Sequence, residues 1–229
     1  MGNHCEPENT DRPGQRVNRR TLSQVTGRVG GRQERKQRTH QALLDAALRL
    51  VDDRGMASMS LREVAREAGI VPTAFYRHFV SMDELGVALT RQCIGTLRQL
   101  IRNARSTLTM RAVGESVRVL GRFVRDHSAE LGFVARERYG GVAAVRAAIV
   151  GELRLFASEL ATDFARVPEF AAMNGEDLRI AGELMVSAML NVVLELLDVP
   201  PNSSEEQQIL DGATKQLRLI VLGMGAWRS

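Results

Sequence analysis

From residue 33 onward, the apolar residues of this 229-residue chain recur with the period of an α-helix, and no stretch alternates as a β-strand does. The first helix, over residues 33–53, has one apolar face and is followed by Gly55, a residue typical of helix C-termini. Two short helices over 60–69 and 72–79 precede a long helix from 81 to about 108 and five more helices. The sequence therefore predicts an all-α fold of about nine helices.

The composition is that of a globular protein, with 44% apolar and 25% charged residues, which excludes disorder over the whole chain. The most apolar window, residues 184–197, is only 14 residues long and contains Ser187, Asn191 and Glu195, so we expect no membrane span. The N-terminus has no apolar run typical of a secretory signal, and two cysteines form no disulfide framework. These features predict a cytoplasmic protein.

Residues 1–32 have no apolar period and contain several glycines and prolines, so we expect a disordered basic tail. Residues 1–40 carry nine basic and four acidic side chains, whereas residues 110–229 carry thirteen and sixteen. This asymmetry favours a polyanionic partner at the N-terminal end. A solvated tail without a partner would have the same composition.

Residues 60–79 have the spacing of a helix-turn-helix. Ser60 and Glu63 form a capping-box pattern at the start of one helix, which ends at Gly69. After a three-residue turn, Pro72 opens the second helix. A second capping box, Ser81 to Glu84, opens the long helix that follows.

The second of these short helices has a face suited to the major groove of DNA. Phe75 and Phe79 share one side and are expected in the core, whereas the opposite side is small or hydrogen-bonding. The candidate DNA-contacting residues of the whole motif are Ser60, Arg62, Thr73, Ala74, Tyr76, Arg77 and His78. An ordinary helical hairpin with exposed polar residues is the alternative.

Four motifs carry a family resemblance: Leu61-Arg62-Glu63-Val64-Ala65, Ala68-Gly69-Ile70, Phe75-Tyr76-Arg77-His78-Phe79 and Asp83-Glu84-Leu85. Over residues 35–90 they resemble the TetR family of bacterial repressors. The resemblance implies a homodimer that binds a double-stranded DNA operator. It also implies a helix-turn-helix domain over residues 33–80 and a ligand-binding and dimerisation domain over residues 81–229.

The resemblance also implies roles for single residues. Arg62 matches a position that contacts a guanine or a phosphate, Thr73 and Ala74 match positions facing base edges, and Tyr76 and His78 match phosphate contacts. Two positions depart from the pattern. Met82 replaces a common lysine, and Val71 replaces a polar residue that would cap the second short helix.

Residues 60–85 are similar to the branch of the family that represses unsaturated fatty acid synthesis and desaturation. Further matches are Arg98-Gln99-Leu100-Ile101-Arg102, Arg136-Glu137-Arg138, Arg146-Ala147-Ala148, Leu197-Asp198-Val199 and Gln216-Leu217-Arg218. The resemblance implies a long-chain acyl-CoA effector, with saturated and unsaturated chains acting in opposite directions on DNA binding.

An effector cavity would need apolar walls and cationic groups for the coenzyme A phosphates. The candidate lining residues are Phe123, Phe133, Phe156, Met185 and Met189, and the candidate cations are Arg136 and Arg138, with Arg98, Arg102 and Arg105 as another set. A close-packed core and structural ion pairs are the alternatives.

The last two predicted helices have apolar surfaces that would form a four-helix interface between two copies of the chain. The alternative is that the first of these two helices is the central helix of a monomer. Neither a metal-ligand spacing nor a nucleophile motif occurs, so we expect neither an enzyme nor a metal or cofactor site. Two other functions stay open: a repressor of an efflux or catabolic operon that senses another apolar ligand, and a ligand-independent DNA-binding protein.

Overall fold

A computed structural model describes residues 1–2, 19–104 and 110–229. This part of the chain forms nine α-helices and two short 3-10 helices and contains no strand, which confirms the all-α prediction. The α-helices are α1 (Arg19–Arg54), α2 (Leu61–Glu67), α3 (Pro72–Phe75), α4 (Met82–Ala104), α5 (Met110–Asp126), α6 (Ser128–Glu137), α7 (Ala143–Phe164), α8 (Gly175–Leu197) and α9 (Ser204–Ala226), and the 3-10 helices are Met56–Ser58 and Pro168–Phe170.

Helix α1 begins at Arg19, well before residue 33, so the predicted start is wrong and residues 19–32 are helical. Three glycines in this stretch misled the prediction. A glycine costs a helix about 1 kcal/mol but, unlike proline, leaves its hydrogen bonds intact. Residues 3–18, most of the rest of the predicted tail, lie outside the described residues, as do residues 105–109 at the predicted end of the fourth helix.

The chain divides into two compact units, Met1–Thr39 and His40–Ser229. In the first unit, the Thr39 hydroxyl donates to the Arg35 carbonyl at 3.0 Å, one turn earlier in α1. All contacts that follow lie in the second unit. The domain boundaries expected from the sequence, at residues 32 and 80, stay predictions.

Residues of α1, α3, α4, α6 and α7 share one apolar core. Leu43 and Val51 of α1 pack there with Phe75, Leu89 and Ile149. The short helices α2 and α3 therefore pack against the helices that follow them in the chain. This packing fixes which face of α3 stays exposed.

The C-terminal helices form two further apolar clusters. One joins α5 to α8 and α9 through residues such as Leu120, Val193 and Leu217, and the other joins α7 to α8 through Phe156, Phe164 and Leu178. Helix α8 contacts α5, α7 and α9, so it is the central helix of this region.

Helix α8 is long and apolar enough to cross a membrane, with a mean hydropathy of 1.8 over its best 18 residues. The apolar stretch is longer than the 14 residues expected because it begins before residue 184, at Ile180 and Ala181, and the expectation of no membrane span stays a prediction. A core helix of a folded protein has the same length and composition. The burial of Leu190 and Val193 against neighbouring helices fits a core position.

Candidate functional site

The start of α2 carries the predicted capping box. The Ser60 hydroxyl accepts a hydrogen bond from the Glu63 N–H at 3.3 Å, and the Glu63 carboxylate accepts one from the Ser60 N–H at 3.0 Å. Hydrogen bonds from the Ser60 hydroxyl and N–H hold the pKa of Glu63 below its usual value. Arg62 follows directly and is exposed. The box thus fixes the backbone from which the Arg62 side chain projects.

A left-handed glycine makes the turn between α2 and α3. Gly69 has φ +69°, a conformation that L-residues with a Cβ rarely adopt, and the Ile70 N–H donates to the Ala65 carbonyl at 2.9 Å. Val71 precedes α3 and provides no side-chain cap, as its apolar side chain predicts. Pro72 then occupies the first helical turn, where its missing N–H costs nothing.

Helix α3 is α-helical only over Pro72–Phe75, so the predicted extent to residue 79 is wrong. Beyond Phe75 the chain tightens into shorter turns, in which the Arg77 N–H donates to the Ala74 carbonyl and the His78 N–H to the Phe75 carbonyl. Phe75 and Phe79 are both fully buried, as expected. The Phe79 N–H still donates to the Phe75 carbonyl at 3.1 Å, and both rings lie in the core.

The side of α3 opposite these rings is open to solvent. Arg62, Thr73 and Arg77 are exposed, and Tyr76 is 64% exposed. Ala74 and His78 are half-buried, and the His78 ring lies 6.3 Å from that of His40, which stacks on Phe79. The structure therefore brings the seven predicted residues onto one short segment, although their contacts with DNA stay a prediction.

The predicted second capping box forms in a changed version. The Ser81 hydroxyl accepts from the Glu84 N–H at 3.2 Å, as expected. The Glu84 carboxylate accepts from the N–H of Val80 rather than from that of Ser81. Both bonds still hold the start of α4 against the end of the α3 segment.

An apolar cavity lies between α4, α5, α6, α7 and α8. Its volume is about 30 Å³, and its wall consists of Cys93, Ile94, Leu97, Leu120, Leu131, Val134, Leu153, Phe156, Val186, Met189, Leu190 and Val193. Burial raises the pKa of the Cys93 thiol to about 12, as expected in such surroundings. The wall offers contacts only to an apolar group.

Two of the predicted lining residues, Phe156 and Met189, belong to this wall. Phe133 is fully buried in the core that contains Leu43 and Val51 of α1 instead, and the Phe123 ring is tilted against that of His127 with centroids 4.3 Å apart. Met185 is half-buried between the two C-terminal clusters. Apolar side chains on amphipathic helices all satisfy the same sequence pattern, so the pattern could not separate wall from core.

A groove of about 680 Å³ adjoins the cavity on the outer side of α7 and α8. Three arginines and one glutamate are among its lining residues, so it has a surplus of positive charge: Arg138, Arg154, Arg179 and Glu183. Leu153, Val186 and Leu190 belong to the walls of both groove and cavity. Sequence reasoning found Arg138 but missed Arg154 and Arg179, because only the packing of α7 on α8 brings them together.

The other predicted cations are engaged elsewhere. Arg136 donates to the Val51 carbonyl at 2.9 Å, and Arg98 pairs with Glu152 at 3.0 Å and with Glu159. The side chains of Arg102 and Arg105 lie outside the described residues. For Arg98 the structure therefore shows the alternative that the sequence left open, a structural ion pair.

Residues 43–89, which contain α2, α3 and the exposed face described above, match the family model of bacterial regulatory proteins of the tetR family. The match covers about a fifth of the chain and is confined to the segment that contains α2 and α3.

Solved structures share this fold over about 80% of the chain. A TetR-family transcriptional regulator from Rhodococcus sp. is 15% identical, with 80% of this chain and 98% of that chain covered and a TM-score of 0.65. AibR in complex with isovaleryl coenzyme A and operator DNA is 19% identical (78% and 97% covered, TM-score 0.58). FadR from Bacillus subtilis in complex with stearoyl-CoA is 11% identical (81% and 97% covered, TM-score 0.58). At these identities the likeness establishes the fold.

The last two helices carry exposed apolar residues. Ile180 and Leu184 of α8 and Leu219 and Leu222 of α9 are all exposed. A shallow groove of about 280 Å³ also runs between the two helices and includes Gly212. Isolated apolar residues are common on protein surfaces, whereas neighbouring helices that both expose them are typical of an interface.

Proposed function

We propose that this chain is a homodimeric TetR-type repressor that binds a pseudo-palindromic DNA operator and is modulated by a long-chain acyl-CoA. Its target genes are those of unsaturated fatty acid synthesis and desaturation. The observation that carries the DNA-binding part is the exposure of Arg62, Thr73, Tyr76 and Arg77 on a segment that a capped helix and two buried phenylalanines hold in place. A repressor of chromosomal genes acts in the cytoplasm.

In the proposed complex, α3 enters the major groove, where Thr73 and Ala74 face base edges. Arg62, at the start of α2, contacts a guanine or a phosphate, and Tyr76 and His78 contact the phosphate backbone. Two copies of α3 in a dimer would read half-sites about 34–36 Å apart. Dimer symmetry then accounts for a pseudo-palindromic operator.

The exposed apolar residues of α8 and α9 support the dimer. Leu219 and Leu222 would lose their contact with water against the same surface of a second copy, which is the arrangement of a two-fold interface. The small residue Gly212 in the groove between the helices allows close approach of a partner helix.

The adjoining cavity and groove support an acyl-CoA effector. An acyl chain is apolar and coenzyme A is strongly anionic, so the two halves of the ligand match the apolar wall and the arginine-rich groove. Two structures of similar fold contain acyl-CoA ligands. Leu153, Val186 and Leu190 lie where the acyl chain would pass from groove to cavity.

A cavity of about 30 Å³ is far smaller than a long acyl chain, so binding must separate the surrounding helices. Helix α4 carries this change, because Leu85 and Leu89 pack beneath the DNA-binding helices and Cys93 and Leu97 line the cavity. A ligand that favours one position of α4 changes the spacing of the two α3 copies. A coupling of about 1–3 kcal/mol corresponds to a roughly 5–150-fold change in operator affinity.

The DNA-binding proposal is tested by selecting a duplex from a randomised library and measuring its affinity by fluorescence anisotropy. We expect Arg62→Ala to weaken binding by about 1–3 kcal/mol without changing the thermal unfolding temperature. Arg118→Ala, which removes an exposed arginine of α5, is the control. Unchanged affinity of Arg62→Ala would remove Arg62 from the interface.

The same selection separates the alternatives. A chain that enriches no palindrome over random DNA would be a ligand-independent or architectural DNA-binding protein. A chain that binds a palindrome but ignores acyl-CoA would instead be a repressor that senses another apolar ligand, as for an efflux or catabolic operon.

A further inference from the structure

The last turn of α6 makes two hydrogen bonds to the end of α1 and the turn after it, one as a donor and one as an acceptor. The Arg136 guanidinium donates to the Val51 carbonyl at 2.9 Å, near the C-terminus of α1. The Glu137 carboxylate accepts from the Met56 N–H at 2.8 Å, directly after Gly55. The Met56 N–H, at the start of a 3-10 helix, is a donor that a helix end leaves without a helical partner, whereas the Val51 carbonyl also accepts from the Gly55 N–H at 3.0 Å. We call Arg136 and Glu137 the α6 clamp.

The corner is shaped around the Glu137 carboxylate, which is only 2% exposed. Gly55 has φ +73°, and a Cβ built there would lie 3.2 Å from Glu137 Oε1. A Cβ at Gly140 would lie 2.2 Å from Glu137 Oε2, and one at Gly141 would lie 3.0 Å from the Ala57 Cβ. Glycines on both segments therefore permit an approach that side chains would block.

The second carboxylate oxygen, Glu137 Oε2, is buried and accepts no hydrogen bond from the described part of the chain. Burying a polar oxygen without a partner costs about 1–3 kcal/mol, so this acid is a poor choice for stability alone. Buried polar groups of this kind are best attested where they fix one arrangement over others.

The same helix also forms part of the cavity wall. Leu131 and Val134 line the cavity, and Glu137 follows Val134 by one turn. A group that enlarges the cavity would push on these two side chains and displace α6. Through Glu137 the displacement would reach Met56, which lies four residues before Ser60 at the start of α2.

We propose that Arg136 and Glu137 are positioning residues that transmit occupancy of the cavity to the DNA-reading helices. This inference rests on the proposed function in taking α2 and α3 as the DNA-reading segment, but it does not depend on which ligand fills the cavity. It also gives Arg136 a role other than the predicted contact with coenzyme A phosphates.

The test compares operator affinity with and without a cavity-filling group in proteins with and without the clamp. Oleoyl-CoA and palmitoyl-CoA are two such groups, and the substitution Val134→Phe is a third that needs no ligand. Some of these groups will change the operator Kd of the protein with an intact clamp. We expect the same groups to change the Kd of Glu137→Met and of Arg136→Met by less than 2-fold. Such a flat response would contrast with the roughly 5–150-fold typical of allosteric coupling.

Two variants distinguish coupling from general loss of structure. Glu137→Gln keeps an acceptor for the Met56 N–H and should retain most of the response. Glu130→Gln removes a carboxylate of α6 that pairs with His127 and does not reach α1, so it should respond as the unchanged protein does. Arg136→Met removes an exposed head group and decides the question if Glu137→Met fails to fold.

Each failure has its own signature. A full response in both folded clamp variants overturns the inference, and so does a protein in which neither acyl-CoA nor Val134→Phe alters operator affinity. If the acyl-CoAs leave operator affinity unchanged but Val134→Phe alters it, the proposed effector is wrong. The effect of Val134→Phe in the clamp variants then tests the clamp. If the chain binds no specific DNA, faster hydrogen exchange of residues 54–60 in Val134→Phe supports the clamp, and unchanged exchange overturns it.

Discussion

Single residues set the local geometry of the segment that contains α2 and α3. Ser60 and Glu63 satisfy each other's backbone N–H groups, and Gly69 supplies a conformation that another residue would strain. Gly55 acts in the same way at the end of α1, where its N–H donates to the Val51 carbonyl. These contacts span few residues, and sequence reasoning predicted them for this reason.

The capping box makes stability depend on pH in a defined direction. The pKa of Glu63 in the folded protein lies below its usual value of 4.5, because hydrogen bonds from Ser60 favour the carboxylate. The ionised group therefore stabilises the fold above that value, and the contribution is lost as the pH falls through the lowered pKa.

We expect Glu63→Gln to be less stable than the unchanged protein at pH 7 and the difference to shrink as the pH is lowered from 5 to 3. Urea unfolding at a series of pH values measures this difference. In a Ser60→Ala background the pH dependence of the difference should be much weaker. An equal dependence in both backgrounds would show that Ser60 is not its cause.

At the scale of whole elements, α4 is held against α7 by an ion-pair network. Arg98, 16% exposed on its side chain, pairs with Glu152 and Glu159 of α7, and both carboxylates raise its pKa. Arg91 reaches Glu152 at 3.9 Å from a largely exposed position. The two arginines of α4 therefore provide a matched pair that differs in burial.

We expect Arg98→Met to lower the free energy of unfolding by roughly 1–3 kcal/mol, because Glu152 and Glu159 each lose a partly buried contact. Arg91→Met should cost under about 1 kcal/mol, as exposed ion pairs generally do. Chemical unfolding of the two variants measures both values. Equal losses would mean that burial does not strengthen the Arg98 contacts.

The prediction of elements from the sequence succeeded where the signal is local and failed where it is not. The order and number of helices followed from apolar periodicity. The end of α3 at Phe75 did not, because residues 72–79 have the apolar spacing of a continuous helix. The contact of Arg136 with Val51 joins residues 85 positions apart, which no local pattern can reveal.

At the scale of the whole molecule, the proposed dimer depends on the exposed apolar residues of α8 and α9. Leu222 is 57% exposed, and Leu155 on α7 is a comparably exposed leucine, at 47%, outside these two helices. The two positions allow one substitution to be compared at an interface and away from it.

We expect Leu222→Glu to convert the dimer to monomers, because two carboxylates would be buried at a two-fold interface. Leu155→Glu should leave the oligomeric state unchanged. Sedimentation velocity at several protein concentrations distinguishes the two states. A dimer that persists in Leu222→Glu would place the interface on another surface.

Only part of the predicted site could be identified from the sequence, because some of its residues come together only in the fold. The DNA-contacting candidates lie within residues 60–78, so a local motif was enough to select them. The cavity and the groove combine α4 to α8, and Arg154 and Arg179 join Arg138 only through packing of distant helices. Their composition therefore emerged from the structure.

One titration tests directly whether acyl-CoA controls operator binding. Anisotropy would measure the Kd for DNA from upstream of the host's desaturase or fatty acid synthesis genes, at fixed salt, without ligand, with palmitoyl-CoA and with oleoyl-CoA. We expect the two ligands to shift the Kd in opposite directions. Specific DNA binding that neither ligand changes would contradict the claim.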